Sequence, residues 1–356
     1  MPRITAVHTT TVLAPLRRPL RTASGAIEAF PLVLIDLATD AGVTGRAYAE
    51  VYLPELLPAL AATVEGLGRI LCGQELRPRD LHAAMLLRLR LQGAKGLAGV
   101  ALGGLDMAWW DAYARLRDEP LYATLGCAPR AIPAYLSVGM YDAASVIEVA
   151  EEAVAAGFTA LKIKLGFPTL AQDLATVRAA RRVLGQRALM VDYNQSLSPQ
   201  EALIRCHALE DEGLAWIEEP LMSDDYAGHA LLADAIITPI QFGENFHSPE
   251  EMRAALAVRA MDYVMPDPQF IRGVSGWLEA AALAHQARME CSSHLFIEAS
   301  SHLLCATPTA HWLEYLDVTG VLLREPYPVI DGCLTPPARP GIGIEWNLEA
   351  VAHYRV

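Results

Sequence analysis

The motif ALKIKLG at residues 160–166 is the first of seven similar segments, in each of which polar side chains follow a short apolar run. A helical pattern of about 10–15 residues follows each segment, which is typical of repeated βα units. The successive polar residues lie 28, 26, 26, 23, 27 and 20 residues apart. In a βα barrel the carboxyl ends of the strands meet at one mouth, so these residues converge there. The later segments are MVDYNQS (190–196), WIEEP (216–220), QFGENF (241–246), VMPDPQ (264–269), CSSHLF (291–296) and HWLEYLD (311–317).

This pattern places the chain in the α/β class, as a modified (β/α)7β TIM-type barrel with an α+β capping domain. The first barrel strand is predicted in AYLSVG at 134–139 and the eighth in AHWLEYLD at 310–317. We predict a barrel domain over residues 129–319 and a capping domain over residues 1–128. The capping domain is completed by the tail at about 320–356.

The capping domain is predicted to contain strands first and helices afterwards. Residues 1–50 hold β-branched and apolar runs around a turn at Asp40 and Gly42, which predicts a hairpin. Residues 17–30 contain Gly25 and small residues, and we expect a flexible loop there. The Gly/Pro-rich tail contains short apolar runs, which we expect to complete the sheet of this domain.

Composition excludes several classes of function. The 356 residues are 53% hydrophobic, but no apolar run approaches the length of a membrane span. A net charge of −13 gives no nucleic-acid-binding footprint. The N-terminal residues lack a secretory signal, and the six cysteines have no metal-ligand spacing. We therefore expect a cytoplasmic protein with buried, reduced thiols and without a nucleic-acid or membrane partner.

Three carboxylates are the candidate metal ligands: Asp192, Glu218 and Glu244. Hard oxygen ligands with open coordination positions suit Mg²⁺, whereas Zn²⁺ prefers His or Cys. Single acidic residues at strand ends can also be helix caps or surface groups, but three at a regular 26-residue step favour one Mg²⁺ ion per subunit. Glu219 alternates to the other face of its strand and is predicted to support the site without binding the metal.

Two further pairs indicate acid–base chemistry. Lys162 and Lys164 are two residues apart, so they lie on the same side of a strand, facing either the site or solvent. Burial and mutual repulsion predict that at least one lysine pKa falls toward neutrality, which suits a general base. Asp267 and His294 are one βα unit apart, so the carboxylate can orient the imidazole; a lone histidine would more often be structural.

The ordered set LKIKLG, VDYNQS, WIEEP, GEN, MPD, SSHLF and TPTAHWLEYLD resembles the enolase superfamily, and within it the mandelate racemase subgroup. The resemblance covers nearly the whole chain. It implies a homo-oligomer, with an octamer expected, that acts on a small-molecule carboxylate. Lysine or histidine bases act in this superfamily together with Mg²⁺, which stabilises an ene-diolate.

The resemblance also implies a role for each polar residue. Lys164 would be the base on one face of the substrate α-carbon, and His294, oriented by Asp267, would serve the opposite face. Lys162 would contact the substrate carboxylate and lower the pKa of Lys164. Glu314 would be a protonated acid that hydrogen-bonds a carboxylate oxygen. Such groups stabilise the negative charge that develops when an α-proton is removed.

The predicted substrate pocket departs from the mandelate racemase pattern. Ser137 and Asn194 match polar positions beside the carboxylate and the metal. Glu50 stands where the racemase has an apolar aromatic residue, and an ionised carboxylate is unfavourable in an aryl pocket. Phe270 and Arg272 also replace a lysine and a glycine. The other predicted pocket residues are Leu20, Thr22, Ile27, Tyr52, Leu295 and Leu316.

The leading hypothesis is a Mg²⁺-dependent racemase or epimerase of a 2-hydroxy acid similar to mandelate. The alternative is an acid-sugar dehydratase, in which loss of a β-hydroxyl follows proton abstraction. A dehydratase of polyols should have several polar groups in its cap, and the sequence offers mainly Glu50, Arg21 and Tyr52. A non-catalytic binding protein is disfavoured, because it would retain costly buried charges without using them.

Overall fold

A computed structural model describes residues 1–23 and 25–356 of the chain. The N-terminal part is an antiparallel sheet in the order β1-β2-β3. Strand β1 spans Ile4–Thr22, β2 spans Gly25–Thr39 and β3 spans Thr44–Glu50. The prediction of a flexible loop over residues 17–30 is wrong for most of that range, since Leu20 pairs with Ile27 at the end of the β1–β2 hairpin. Ser24, in the same range, lies outside the described residues.

Four helices follow the sheet, as the sequence predicted: α1 (Leu57–Leu71), α2 (Pro78–Leu89), α3 (Gly96–Leu116) and α4 (Leu121–Thr124). Helix α3 is buried along most of its length because small residues allow close packing. A Cβ atom on Gly45 of β3 would lie 2.1 Å from the carbonyl oxygen of Ala108, so a glycine is required where β3 crosses α3.

Eight parallel strands form the barrel, which closes where the last strand pairs with the first. This arrangement confirms the predicted TIM-type fold. Parallel strands place all their carboxyl ends at one mouth. The strands are β4 (Ile132–Ser137), β5 (Ala160–Lys164), β6 (Ala188–Asp192), β7 (Ile217–Glu218), β8 (Ile240–Phe242), β9 (Tyr263–Val264), β10 (Glu290–Ser293) and β11 (Ala310–Tyr315).

Seven α-helices connect successive barrel strands, and no α-helix directly follows β11 in the described chain, which gives the (β/α)7β form. Helix starts follow the local sequence: Thr169 and Ser198 each cap a helix through a reciprocal capping box. The helices are α5 (Ser145–Ala155), α6 (Leu170–Leu184), α7 (Pro199–Leu209), α8 (Tyr226–Ala235), α9 (Pro249–Ala257), α10 (Gly273–Ala287) and α11 (Ile297–Cys305).

The C-terminal tail returns to the capping sheet but does not extend it with a strand. Strand β12 (Cys333–Leu334) pairs with β4 of the barrel. The tail meets the N-terminal sheet through a bridge between Arg355 and Val12 of β1, so the expected contact with this sheet forms at one residue pair and not along a strand. Helix α12 (Leu348–Tyr354) packs on β1 instead, and Glu345 pairs with Arg115 of α3 at 2.7 Å. The domain limits at residues 128 and 319 stay predictions.

In the described part of the chain, no helix combines the length and apolar character that crossing a bilayer requires. All six cysteines are unpaired, as expected. The expectation that they are all buried is wrong: Cys206 and Cys291 are buried, whereas Cys72 is exposed and the other three are intermediate.

Candidate active site

The three predicted metal ligands meet at the barrel mouth. Asp192 ends β6, Glu218 ends β7, and Glu244 follows β8 by two residues. Each offers a carboxylate oxygen, and these oxygens all lie within 4.8 Å of one another. All three side chains are buried. Three negative charges in so small a volume repel one another, and a bound cation would offset this repulsion.

The surrounding atoms fit a divalent cation. Glu244 Oε2, Glu219 Oε2 and Asn194 Oδ1 are buried and have no hydrogen-bond partner within residues 1–23 and 25–356. Burial raises the pKa of Glu218 to about 7, with the charge of Lys162 acting against the shift and the neighbouring carboxylates adding to it. An all-oxygen donor set of this kind suits Mg²⁺. Asp192, Glu218 and Glu244 are the residues that could hold the ion.

Lys162 and Lys164 of β5 both contact carboxylates of this site. Lys164 Nζ donates to Asp192 Oδ2 at 2.6 Å. Lys162 Nζ bonds Glu218 Oε1 and lies 2.8 Å from Glu314 Oε1. Burial alone would lower the pKa of each lysine, but the carboxylates around them outweigh it and both pKa values are raised. The prediction that one lysine pKa falls toward neutrality is therefore wrong for the protein chain itself.

The predicted Asp/His pair is formed on the opposite flank. His294 Nδ1 lies 2.8 Å from Asp267 Oδ2, and both side chains are buried. His294 Nε2 lies 3.5 Å from Glu244 Oε2. Burial lowers the pKa of His294, but Glu244 and Glu314 raise it more, to about 10. Lys164 ends β5, and His294 follows β10. The strands β6 to β9 lie between them on one side of the closed barrel, and β11 and β4 lie between them on the other. The two side chains therefore flank the carboxylates of the metal site.

Glu314 contradicts the expectation that it is protonated. Its Oε2 accepts from the backbone N–H of Leu295 at 3.0 Å, and its Oε1 faces Lys162. Burial raises the pKa of Glu314, but the charges of Lys162 and His294 outweigh it and hold the pKa well below the usual range. Glu314 is therefore an ionised partner of Lys162 in the protein chain.

The predicted pocket residues divide into two groups. Ser137, Leu20 and Leu316 line a cavity of about 640 Å³ between β1, α5 and the end of β11. None of the carboxylates, lysines or histidine described above lines this cavity. Ser137 Oγ is buried, and no described residue bonds it. Ser137 thus adjoins the cavity on one side, and its backbone pairs with Lys162 on the other.

The other pocket residues lie near the hairpin tip and the loop after β10. Ile27 pairs with Leu20, and Thr22 Oγ1 donates to the carbonyl of Gly25 at 3.3 Å. Leu295 is buried in the left-handed conformation, with φ 45°, directly after His294. Strained backbone of this kind is common at functional sites. The Tyr52 ring is partly exposed and contacts Phe30 edge-on at 5.9 Å between ring centroids.

Two departures from the racemase pattern, at Arg272 and Phe270, lie outside the metal site. Arg272 Nε donates to the carbonyl of Ala94, and its Nη1 lies 3.7 Å from Glu250. Phe270 packs edge-on against His247. Neither residue contacts the three carboxylates, so neither replacement changes the metal site.

Sequence reasoning missed several residues that support the site. Trp216 Nε1 and Gln241 Nε2 both donate to Glu218 Oε2, at 2.9 and 3.2 Å. Asn245 Nδ2 donates to Glu219 Oε1 at 2.9 Å, so Glu219 supports the site beside the metal ligands. Period-two alternation could have found Trp216, because it lies two residues before Glu218 on the same strand face. No pattern in the sequence singled out Gln241, which reaches Glu218 from the neighbouring strand β8.

Comparison with known proteins agrees with this geometry. Residues 4–126 match the mandelate racemase / muconate lactonizing enzyme N-terminal domain, and residues 145–351 match the enolase C-terminal domain-like family. The chain belongs to the enolase superfamily, in its mandelate racemase / muconate lactonizing enzyme subgroup.

Three relatives illustrate the range of this subgroup. An enolase from Bradyrhizobium, complexed with magnesium and mandelic acid, has a TM-score of 0.97 and 45% identity, covering 100% of this chain and 99% of that one. The 3,6-anhydro-alpha-L-galactonate cycloisomerase of Streptomyces coelicolor is 30% identical over 93% of both chains. The L-talarate/galactarate dehydratase of Salmonella typhimurium is 32% identical over 72% of this chain and 66% of its own length. The protein is a Mg²⁺-dependent enzyme of this superfamily, whose relatives include epimerases, cycloisomerases and dehydratases.

Proposed function

We propose that the protein removes the α-proton of a small carboxylate substrate and returns a proton to the opposite face, as a racemase or epimerase of a 2-hydroxy acid. The observation that supports this most is the arrangement of Lys164 and His294 on two flanks of the acidic triad. A racemase requires one proton-transferring group on each face of the α-carbon.

The remaining residues would bind and orient the substrate. Mg²⁺ held by Asp192, Glu218 and Glu244 would supply a Lewis acid for the substrate carboxylate. Lys162 would place a second positive charge at that carboxylate, with Glu314 fixing its position through the 2.8 Å contact. Ser137 Oγ and Asn194 Oδ1, for which the described residues offer no partner, would bond polar groups of the substrate.

Proton transfer then follows from the two flanks. Burial lowers the pKa of Lys164 and Asp192 raises it, so a cation that neutralises Asp192 would favour the neutral amine. Neutral Lys164 would then accept the α-proton, and the electron pair would move into the carboxylate, where the surrounding positive charge stabilises it.

His294 would return a proton from the other face. The contacts with Asp267, Glu244 and Glu314 favour its charged form, which is the form that donates. The reverse direction exchanges the two roles.

Dehydration of an acid sugar is the second candidate. The buried polar side chain of Glu50 favours it, because an apolar aryl pocket would not contain a carboxyl group. In this reaction His294 would donate its proton to the departing β-hydroxyl instead of to the α-carbon. A screen of 2-hydroxy and sugar acids in D₂O separates the two reactions, since racemisation gives deuterium without loss of water and dehydration gives a 2-keto acid.

Single substitutions test the assignment of the two faces. We expect Lys164→Ala and His294→Asn each to abolish racemisation while leaving deuterium exchange from only one enantiomer. Lys95→Ala and His285→Asn are matched controls, because both residues are exposed, and they should leave racemisation unchanged. Racemisation that survives in both site variants would contradict the two-base proposal.

The homo-oligomer, the expected octamer and the cytoplasmic location are also part of this proposal. Size-exclusion chromatography with light scattering would measure the oligomeric state directly. A monomer at all protein concentrations would contradict the proposed homo-oligomer.

A further inference from the structure

A buried amide on the strand next to β7 holds one of the candidate metal ligands. Gln241 of β8 is in register with Glu218, and both side chains are completely buried. Gln241 Nε2 donates to Glu218 Oε2 at 3.2 Å, and Trp216 Nε1 donates to the same oxygen at 2.9 Å. Lys162 bonds the other oxygen of Glu218. The interior of the barrel therefore holds both oxygens of this carboxylate.

The two ends of the Gln241 amide are chemically opposite, so its orientation matters. An ionised carboxylate only accepts hydrogen bonds, and the amide must therefore present its N–H group to Glu218. The carbonyl Oε1 is then turned away from Glu218, and a buried acceptor without a donor is unfavourable. Gln241 Nε2 also lies 3.2 Å from Met265 Sδ, but sulfur is a weak acceptor and fixes the amide poorly. A donor to Oε1 is needed to hold the amide in place.

Ser292 of β10 supplies that donor from across the barrel interior. Its Oγ donates to Gln241 Oε1 at 3.0 Å, and its side chain is completely buried. In a buried chain of hydrogen bonds each bond polarises the next, so donation to Oε1 strengthens the bond that Nε2 makes to Glu218. The hydroxyl group therefore acts on the carboxylate through the amide.

The hydroxyl group of Ser292 has one proton and two possible acceptors. Its Oγ lies 3.5 Å from His311 Nδ1, which is at the limit of a hydrogen bond and longer than the 3.0 Å to Gln241. His311 Nε2 lies 3.4 Å from Glu290, the first residue of β10. When His311 is charged, both ring nitrogens carry protons and neither can accept. In both states of the imidazole the hydroxyl proton is therefore directed to Gln241.

We propose that Ser292 is a positioning residue for the metal site. Its hydroxyl group fixes the amide of Gln241, and the amide fixes Glu218 for binding a divalent cation. Loss of a group that bonds a metal ligand in this way typically lowers metal affinity by about 10- to 100-fold. The inference rests on the part of the proposed function that assigns Glu218 as a metal ligand. It is the same for racemisation and for dehydration.

The test is the Mg²⁺ affinity of the metal-free protein, measured by calorimetry. We expect Ser292→Ala to weaken Mg²⁺ binding about tenfold. Ser293→Ala is the matched control, because this buried serine is the next residue of β10 and points to the other face of the strand, so Mg²⁺ affinity should be unchanged. Glu218→Gln removes the charge of the ligand itself and should weaken Mg²⁺ binding more than Ser292→Ala does.

A cycle of single and double substitutions separates positioning from a general structural effect. Gln241→Met keeps the length of the side chain without its hydrogen bonds, so it should also weaken Mg²⁺ binding. Adding Ser292→Ala to Gln241→Met should then cause no further loss, because the hydroxyl group acts through the amide. Ser292→Cys keeps a weak donor and should lose less affinity than Ser292→Ala. Urea midpoints of the metal-free variants show whether each is folded.

Two outcomes would overturn the proposal. One is unchanged Mg²⁺ affinity in both Ser292 variants while Glu218→Gln binds weakly, which would leave the metal assignment intact. The other is a further loss of about tenfold when Ser292→Ala is added to Gln241→Met, since the serine would then act by a route other than the amide. Unchanged Mg²⁺ affinity in Glu218→Gln would instead contradict the metal assignment in the proposed function.

Discussion

Some carboxylates join the cap to the rest of the molecule, and others lie at the barrel mouth. The two groups differ in how many of their oxygens accept hydrogen bonds. Both oxygens of Glu298 on α11 are satisfied, by Tyr48 of β3 at 2.8 Å and by Thr319 at 2.5 Å. At the mouth, Glu50 and Glu244 are also buried, yet each has an oxygen without a hydrogen-bond partner in the described part of the chain. Saturated groups hold elements together, whereas unsaturated groups among like charges are available to a ligand.

Asp111 on α3 is a second saturated group at this junction. Its Oδ2 accepts from the backbone N–H of Arg46 at 2.7 Å and from Arg115 Nε at 2.6 Å. Its Oδ1 accepts from the backbone N–H of Ile342 at 2.5 Å. One carboxylate thus connects β3, α3 and the tail. The comparison predicts that substitutions at the junction affect stability and that substitutions at the mouth affect activity.

The largest expected effect is at the mouth. Asp192→Asn should lower kcat/KM by about 10³-fold, because a metal ion contributes several kcal/mol of charge stabilisation. The Mg²⁺ affinity of the free protein, measured by calorimetry, should fall in parallel. Asp262→Asn is a control in which the substituted aspartate precedes β9 and is exposed. Unchanged Mg²⁺ affinity in Asp192→Asn would remove this residue from the metal site.

Excess chelator provides an independent measurement of the same site. We expect activity to be lost in chelator and restored by added Mg²⁺. Full turnover in chelator would contradict the metal assignment, even if Asp192→Asn were inactive for another reason.

The fold and most of the site could be predicted from the sequence because they follow a repeating pattern. A polar residue lies at the carboxyl end of most barrel strands or a few residues after it, and the period of the βα unit places residues such as Asp192 and Glu218 on neighbouring strands. The alternation of side chains then points both toward the mouth. Hence the acidic triad and the contact between Asp267 and His294 could be predicted without a structure.

Features that depend on contacts between different elements could not be predicted in this way. The lysine pKa values were predicted from burial and mutual repulsion, but the carboxylates that reach Lys162 and Lys164 come from three other strands and reverse the direction. The hydrogen bond from the backbone N–H of Glu50 to Gln269 Oε1 joins two parts of the chain that share no sequence pattern. The tail was expected to complete the N-terminal sheet, but its strand β12 pairs with the barrel strand β4.

A smaller effect, on stability, is expected at the junction. Asp111→Ala should lower the free energy of unfolding by about 3 kcal/mol, since it removes the buried carboxylate that pairs with Arg115 and leaves the backbone N–H groups of Arg46 and Ile342 without their acceptor. By contrast, Glu244→Gln should leave the stability of the Mg²⁺-free protein unchanged or raise it, because it removes one of several neighbouring negative charges. Urea unfolding of both variants measures the difference. Equal destabilisation would mean that the mouth carboxylates also hold the fold.

The smallest of these effects concerns pH and a third saturated group, His302 of α11. Its Nδ1 accepts from the backbone N–H of Tyr122 at 3.2 Å, and its Nε2 bonds the carbonyl of Ile342 at 3.0 Å. Burial lowers the pKa of His302 to about 3, with the nearby charge of Arg339 adding to the shift and the bond to Ile342 opposing it. The folded protein therefore holds this imidazole neutral at a pH where the unfolded chain, with a pKa of about 6.5, already binds a proton.

The sign of the pH dependence follows from this difference in proton binding. Below pH ~6.5 the unfolded chain takes up a proton that the folded chain excludes, so stability falls as pH falls toward the folded pKa. Between pH ~7 and pH ~5 the wild-type protein should lose about 2 kcal/mol of unfolding free energy relative to His302→Gln, which cannot be protonated. Exposed His285→Gln should follow the wild-type protein at every pH. Parallel curves of unfolding free energy against pH for wild type and His302→Gln would contradict this prediction. They would show that His302 can be protonated in the folded state and that its hydrogen bonds to Tyr122 and Ile342 do not hold it neutral.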